Sequence, residues 1–303
     1  MIPPASKRPR EIGDQTFAAI LLTPAFLFVA CLAIYPIIRV IWLSFFTQNL
    51  GTELHPQFTG ITNYTRLLND GHYFAALRTT LIFTFFAVSS ELILGMTMAL
   101  LLNETFRGRS IARAAALVPW ALPTAVLALA WKWVFNDQFG VFNDLLMRLH
   151  LISHPIAWLG TPATALFSLI FADVWKTTPF MMILLLAGLQ DIPNELYEAA
   201  HIDGARSINS FRLITLPMLL PSITLALLFR SLQSFGIFDL PFVMTGGGPG
   251  GATETVGIYT YNTYLRYLDF GYGSAMIVGT TLVMAFIAIL IYLPLSRSSG
   301  ARA

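Results

Sequence analysis

Asp173, Lys176 and Arg230 stand inside long apolar runs of this 303-residue chain. A charge in the hydrocarbon core of a bilayer costs roughly 2.5–3.5 kcal/mol on insertion scales, so each calls for a partner or a water-filled path. Asp173, Thr177 and Phe180 share one helix face by their i, i+4, i+7 spacing, and Arg230, Gln233, Ser234 and Ile237 share another. At about 1.5 Å per residue, Asp173 lies about 15 Å from the end of its run and Arg230 about 20 Å, both close to mid-membrane. Two polar faces flanked by aromatics suit a sugar, whose hydroxyls need donors and acceptors while its rings stack on Phe180 or Phe235. The alternative is a buried Asp173–Arg230 pair with a purely structural role. Arg39 and Arg78 sit near span ends and snorkel, and Lys132 lies between Trp131 and Trp133 at an interface. Glu91 is also intramembrane, and its neighbour is not legible in the sequence.

A second constellation lies between residues 191 and 217. Asp191 and Pro193 mark a helix start, Leu196, Ala199 and Ala200 give it a small apolar face, and Gly204 ends it in a left-handed turn. Ser207 is positioned to cap a second helix running through Phe211 and Ile214, with Pro217 at the entry to the next apolar run. The result is a helix–turn–helix elbow whose alanines let another protein's groove approach closely. An interfacial hairpin that covers lipid headgroups has the same periodicity.

Other chemistries find little support. The three lysines, Lys7, Lys132 and Lys176, never follow a glycine, so there is no phosphate loop of the Gly-Lys-Ser/Thr type, and any ATP must be hydrolysed by a partner. The run from Thr245 to Gly251 is too rich in glycine for regular helix and lacks that lysine. Cys31 is the single cysteine, which excludes an internal disulfide or a cysteine zinc cluster, and His201 has no second metal-type residue at suitable spacing. No Ser/His or paired-carboxylate arrangement argues for a membrane enzyme. The net charge of +2, without a basic block, gives nucleic acid no surface to bind.

The elements that must position these residues follow from composition. With 56% apolar and 11% charged residues, the chain reads as an integral membrane protein. A core of roughly 30 Å takes about 20 helical residues, and six runs qualify. They are Phe17 to Phe46, Ala75 to Leu102, Ala112 to Phe135, Ala163 to Leu189, Leu216 to Ile237 and Ser274 to Leu295. The first is too long for the core of a cleaved signal peptide. Kinks are expected at Pro24, Pro36, Pro119, Pro123 and Pro179. Lys7, Arg8, Arg10, Arg107, Arg109, Arg113, Arg206, Arg212, Arg297 and Arg302 fall on the side of the termini, and only Arg66, Arg148 and Arg266 on the other. The positive-inside bias therefore places both termini and the elbow in the cytoplasm. The expected organisation is a cytoplasmic tail (1–16), a six-helix domain (17–295) that includes the loop 191–217, and a second tail (296–303).

Glu198-Ala199-Ala200, Asp203-Gly204-Ala205, Phe211, Ile214, Leu216 and Pro217 together resemble the EAA loop of binding-protein-dependent ABC importer permeases. Ala172 to Phe180, and Phe238-Asp239 through Thr245 to Pro249, are similar to the sugar-importing branch, maltose and trehalose type. The resemblance implies the all-α membrane fold of that family, with a cytoplasmic coupling helix. Glu198, Ala199, Ala200, Asp203, Gly204 and Ala205 would contact an ATPase subunit dimer. Asp173, Thr177, Phe180, Arg230, Gln233 and Ser234 would contact the sugar, Arg230 being a departure from the family's pattern. The implied partners are a second, non-identical permease, the ATPase, an extracytoplasmic sugar-binding protein and membrane lipid. No cofactor is expected in this chain, since ATP and Mg belong to the ATPase. The implied location is a bacterial or archaeal inner membrane. A rival reading is an ion-coupled secondary transporter with Asp173 or Glu91 as proton carrier, which needs no docking elbow.

Overall fold

The computed structural model describes residues 14–51 and 55–300. Lys7, Arg8, Arg10 and Arg302, on which part of the charge asymmetry rests, lie outside them.

The chain opens with α1 (Asp14–Val29), a π-helical turn (Ala30–Ile34) and α2 (Tyr35–Leu43), together one apolar run. Pro36 falls in the first turn of α2, where a missing N–H costs little. A two-stranded antiparallel ribbon follows, β1 (Phe46–Thr47) with β2 (Gln57–Phe58), then α3 (Thr62–Leu68) and the long α4 (Gly71–Asn103). Next come α5 (Arg109–Ala121), α6 (Thr124–Val134), α7 (Val141–Arg148) and α8 (Pro162–Gln190). The elbow consists of α9 (Asn194–Ile202) and α10 (Ser207–Ser210). A π-helical turn (Phe211–Thr215) leads into α11 (Leu216–Phe235), followed by α12 (Asp239–Met244), α13 (Val256–Tyr261), a third π-helical turn (Asn262–Arg266) and α14 (Phe270–Gly300).

Five runs among the described residues are long and apolar enough to cross a membrane: Leu21–Leu43, Gly71–Asn103, Pro162–Gln190, Ser207–Met244 and Phe270–Leu293. The expected third span, Ala112 to Phe135, is instead two helices that meet at 90°. Leu122 at the break has extended backbone (φ −75°, ψ 138°). The ring of Pro123 disfavours helix at the residue before it and offers no N–H to α5, so the chain turns rather than kinks. Counted as one broken span, the pair makes the sixth.

The core is assembled from α4, α8 and α11, with α4 and α8 in the most extensive contact. Gly95 makes that contact possible: a Cβ there would lie 2.8 Å from Met181 Cγ of α8. Around it pack Ala99, Leu102, Met182, Leu185, Leu219 and Ile223. α1, α2 and much of α14 carry exposed side chains such as Phe26, Ile38, Leu282 and Phe286, as expected of surfaces solvated by lipid rather than water.

Candidate functional site

The three central helices each contribute one charge to a single buried network. Glu91 (α4) is fully buried, and Arg230 (α11) and Asp173 (α8) are 3% and 5% exposed. The Arg230 guanidinium donates from Nε to Glu91 Oε2 at 2.5 Å and from Nη2 to Glu91 Oε1 at 2.7 Å. Nη2 also reaches Asp173 Oδ2 at 3.1 Å, and Nη1 donates to Gln233 Oε1 at 3.0 Å. Thr177 shares its hydroxyl proton between Glu91 Oε1 and the Asp173 carbonyl, each at 2.6 Å. Two carboxylates share one fork-shaped cation, the paired arrangement in which a buried charge is tolerated.

Beside this network lies a cavity of about 290 Å³. Asp173, Lys176 and Thr177 line it from α8, Arg230, Gln233 and Ser234 from α11, and Trp120 and Thr124 from the break between α5 and α6. Five of the six residues expected to face a sugar therefore come together. Phe180 does not line the cavity; it stacks on Trp120 with ring centroids 5.8 Å apart and backs that ring. Ser234 Oγ is buried and has no hydrogen-bond partner, so the cavity wall holds an unsatisfied polar group. The sequence reading missed Glu91 as the principal partner of Arg230, although an intramembrane acid and an intramembrane arginine each needed a counter-charge. Trp120 and Thr124 carried no sequence signal, because they reach the cavity only through the 90° break.

The elbow joins the two helices that line the cavity, since α8 leads into α9 and the π-helical turn after α10 leads into α11. Gly204 has φ +75°, the left-handed conformation expected of it, with nothing within 4 Å of a Cβ. The Ala205 N–H bonds to the Ala200 carbonyl at 2.9 Å and the Gly204 N–H to the His201 carbonyl at 3.0 Å, the paired closure of a Schellman motif. Two details differ from expectation. Asp191 caps the end of α8 while Pro193 precedes α9, and Ser207 is the first residue of α10, whose cap, Arg206, makes no side-chain bond. Glu198, Ala199, Asp203 and Gly204 are exposed, and Ala200 and Ala205 are half-buried. Ile202 is 85% exposed, and neither α9 nor α10 contains a buried residue. One polar tie, Tyr197 Oη to Thr215 Oγ1 at 2.9 Å, anchors the elbow to the base of α11.

At the opposite ends of α4 and α11, Asp70 caps α4 and accepts hydrogen bonds from the Tyr259 and Tyr272 hydroxyls and the backbone N–H groups of His72 and Tyr73. Burial pushes its pKa up, but these four donors outweigh burial and hold it below the usual carboxylate range. His72 stacks on Tyr259 and pairs with Glu254 at 2.6 Å, tying α4 to the segment after the glycine run. No group of three or more His, Cys, Asp or Glu side chains suited to a metal ion occurs among the described residues.

Residues 91–299 match the family model described as "Binding-protein-dependent transport system inner membrane component". A trehalose/maltose transport system permease protein of Thermococcus litoralis is 42% identical over 279 residues, covering 92% of each chain. A sulfoquinovosyl glycerol transport system permease protein of Agrobacterium fabrum is 40% identical, covering 88% of this chain and 86% of that one. Among solved structures, a bacterial alginate ABC transporter in complex with an alginate pentasaccharide-bound periplasmic protein shares the fold, with a TM-score of 0.81 at 20% identity over 94% of this chain and 96% of that one. The chain, a multi-pass membrane protein with the elbow and helical core described above, belongs to the binding-protein-dependent transport system inner membrane component family of ABC importer permeases.

Proposed function

We propose that this chain is one of two non-identical permeases of an ATP-driven sugar importer and that it catalyses no bond change itself. The observation that carries the reading is the elbow: an exposed, alanine-faced helix with a rigid Schellman turn, placed in the connection between the two helices that line the polar cavity. An ATPase subunit seated on Glu198, Ala199, Ala200, Asp203, Gly204 and Ala205 moves α9, and α9 pulls on α8 and α11 together. Asp173 and Thr177 ride on one of these helices, and Gln233 and Ser234 on the other, so the motion opens or closes the cavity around its ligand. The ATPase dimer holds ATP and Mg, and an extracytoplasmic binding protein delivers the sugar.

The arginine bias supports cytoplasmic termini and a cytoplasmic elbow, within a domain spanning residues 17–295 of a bacterial or archaeal inner membrane. The ligand class is supported by the polar, aromatic-backed cavity and by relatives named for trehalose or maltose and for a sulfonated glycoside. Proteoliposomes containing both permeases and the ATPase, supplied with loaded binding protein, test the reading. The expected result is sugar uptake that requires ATP on the ATPase side and is indifferent to a protonophore. Uptake without ATP that a protonophore abolishes would instead assign the protein to ion-coupled transport through Asp173 or Glu91.

A further inference from the structure

The cavity wall contains a cation whose availability is set by a residue outside that wall. Arg230 has five N–H groups, and four are engaged: two with Glu91, one with Asp173 and one with Gln233. Glu91 is fully buried, does not line the cavity and takes both arms of the guanidinium fork. It withdraws Arg230 from the cavity in two senses, by neutralising its charge and by holding its plane toward α4. The same hold fixes Gln233, because its carbonyl oxygen faces Nη1 and its amide N–H₂ is left to point elsewhere. Lys176 also lines the cavity, with Asp173 and Asp239 as its acidic neighbours.

We propose that Glu91 is a specificity-determining positioning residue, which masks Arg230 so that the cavity offers a sugar neutral donors and acceptors rather than a free guanidinium. This rests on the cavity being the sugar site, as read above. Three carboxylates, Glu91, Asp173 and Asp239, face two cations, Arg230 and Lys176, so the set leaves no net positive charge for an anionic sugar. Replacing Glu91 by glutamine leaves only one acceptor and turns an amide donor against a donor-only guanidinium, so one arm of the fork is lost. Arg230, then held mainly by Asp173 and Gln233 at the cavity wall, can answer to a sulfonate or carboxylate in the cavity.

The test is equilibrium dialysis of labelled trehalose and of a labelled sulfonated glycoside against the complete transporter complex in nanodiscs, without the binding protein, so that only the cavity selects. The wild type is expected to prefer trehalose. E91Q should reduce that preference by about tenfold, a change of about 1.4 kcal/mol in relative affinity, while E91D keeps it. E91M/R230M removes the guanidinium as well and should show no gain for the sulfonated sugar. An assembled E91Q complex with unchanged preference, or an equal gain in the double variant, overturns the proposal. If E91Q does not assemble, the double variant decides: loss of the Gln233 anchor should weaken trehalose binding by about tenfold, and unchanged binding overturns the proposal. Binding of neither sugar by the wild type would sink the cavity reading itself, and this proposal with it, an outcome distinct from the others.

Discussion

The middle of the helical core and the elbow solve opposite problems. In the core, three charges from three helices find all their partners within the chain, and Gly95 lets α4 and α8 approach closely around them. In the elbow, the turn at Gly204 is closed by its Schellman bonds, yet Ile202 and Ile208, and Leu213 just beyond, remain uncovered. The core is therefore finished by intramolecular contacts, whereas the elbow is a shaped surface that a partner completes. Substitutions in the core should cost stability, and those in the elbow should cost association.

The largest effect is expected at Glu91. Glu91→Leu takes two hydrogen bonds from the buried Arg230 guanidinium, leaving it Asp173 and Gln233, and should lower stability by about 3–5 kcal/mol; Glu91→Met and Arg230→Met with Asp173→Asn, which leaves no unpaired charge, should recover most of it. Thermal unfolding of the purified permease pair measures both, and a single variant as stable as the triple one would contradict the account of the network. Gly95→Val comes next: its side chain must displace Met181, at a cost of about 1–3 kcal/mol on the same scale. Indifference to this change would mean that α4 and α8 are not held at close range.

Gly204→Val meets no neighbour, but it forces a β-branched residue into φ +75°, a strain of about 1–3 kcal/mol confined to the turn. Membrane insertion should be normal while ATPase association, or sugar-stimulated hydrolysis, is lost; stimulated hydrolysis at the wild-type level would remove the elbow from the coupling path. Ile202→Ser should change stability by no more than about 0.5 kcal/mol, since the side chain is exposed, and still weaken ATPase binding in a pull-down titration. The smallest effect concerns Asp70. Its pKa is held below the ordinary carboxylate value in the folded chain, so its stabilising contribution is complete above that ordinary value and is lost as pH falls through the depressed one. Asp70→Asn should flatten this part of the acid dependence, and an unchanged acid unfolding profile would show that the two tyrosine hydroxyls do not stabilise the ionised carboxylate.

Much of this contrast was legible in the residues. Apolar runs locate the spans because burial in lipid demands them, and Gly204 announces its turn because few other residues adopt positive φ. The depth of Asp173 and Arg230 makes their pairing one of two readings, the other being contact with a sugar, and the structure brings the two side chains together at the cavity wall. The partner of Glu91 is not legible in the sequence because its meeting with Arg230 depends on how α4 rotates against α8 and α11, which spacing along one helix does not contain. The bend at Leu122 was underestimated for a related reason. Pro119 and Pro123 declare a weakened helix, but the size of the turn at Pro123 also depends on how α6 packs on α12 and brings its Trp131 to Phe135, Phe142 and Trp158. Ser207 illustrates the limits of capping rules, since α10 starts one residue earlier than a Ser207 cap requires, with Arg206 at the cap position.

The distinction between a finished core and an unfinished elbow is tested most directly by the reactivity of a thiol placed at Ala199, in a background where Cys31 is replaced by serine. Ala199 is exposed in the chain alone. With the permease pair in nanodiscs, maleimide labelling of Ala199→Cys should be fast without the ATPase and strongly protected once the ATPase is bound. Equal labelling in both states would contradict the account, because the elbow would then be a free surface rather than the seat of the subunit that drives transport.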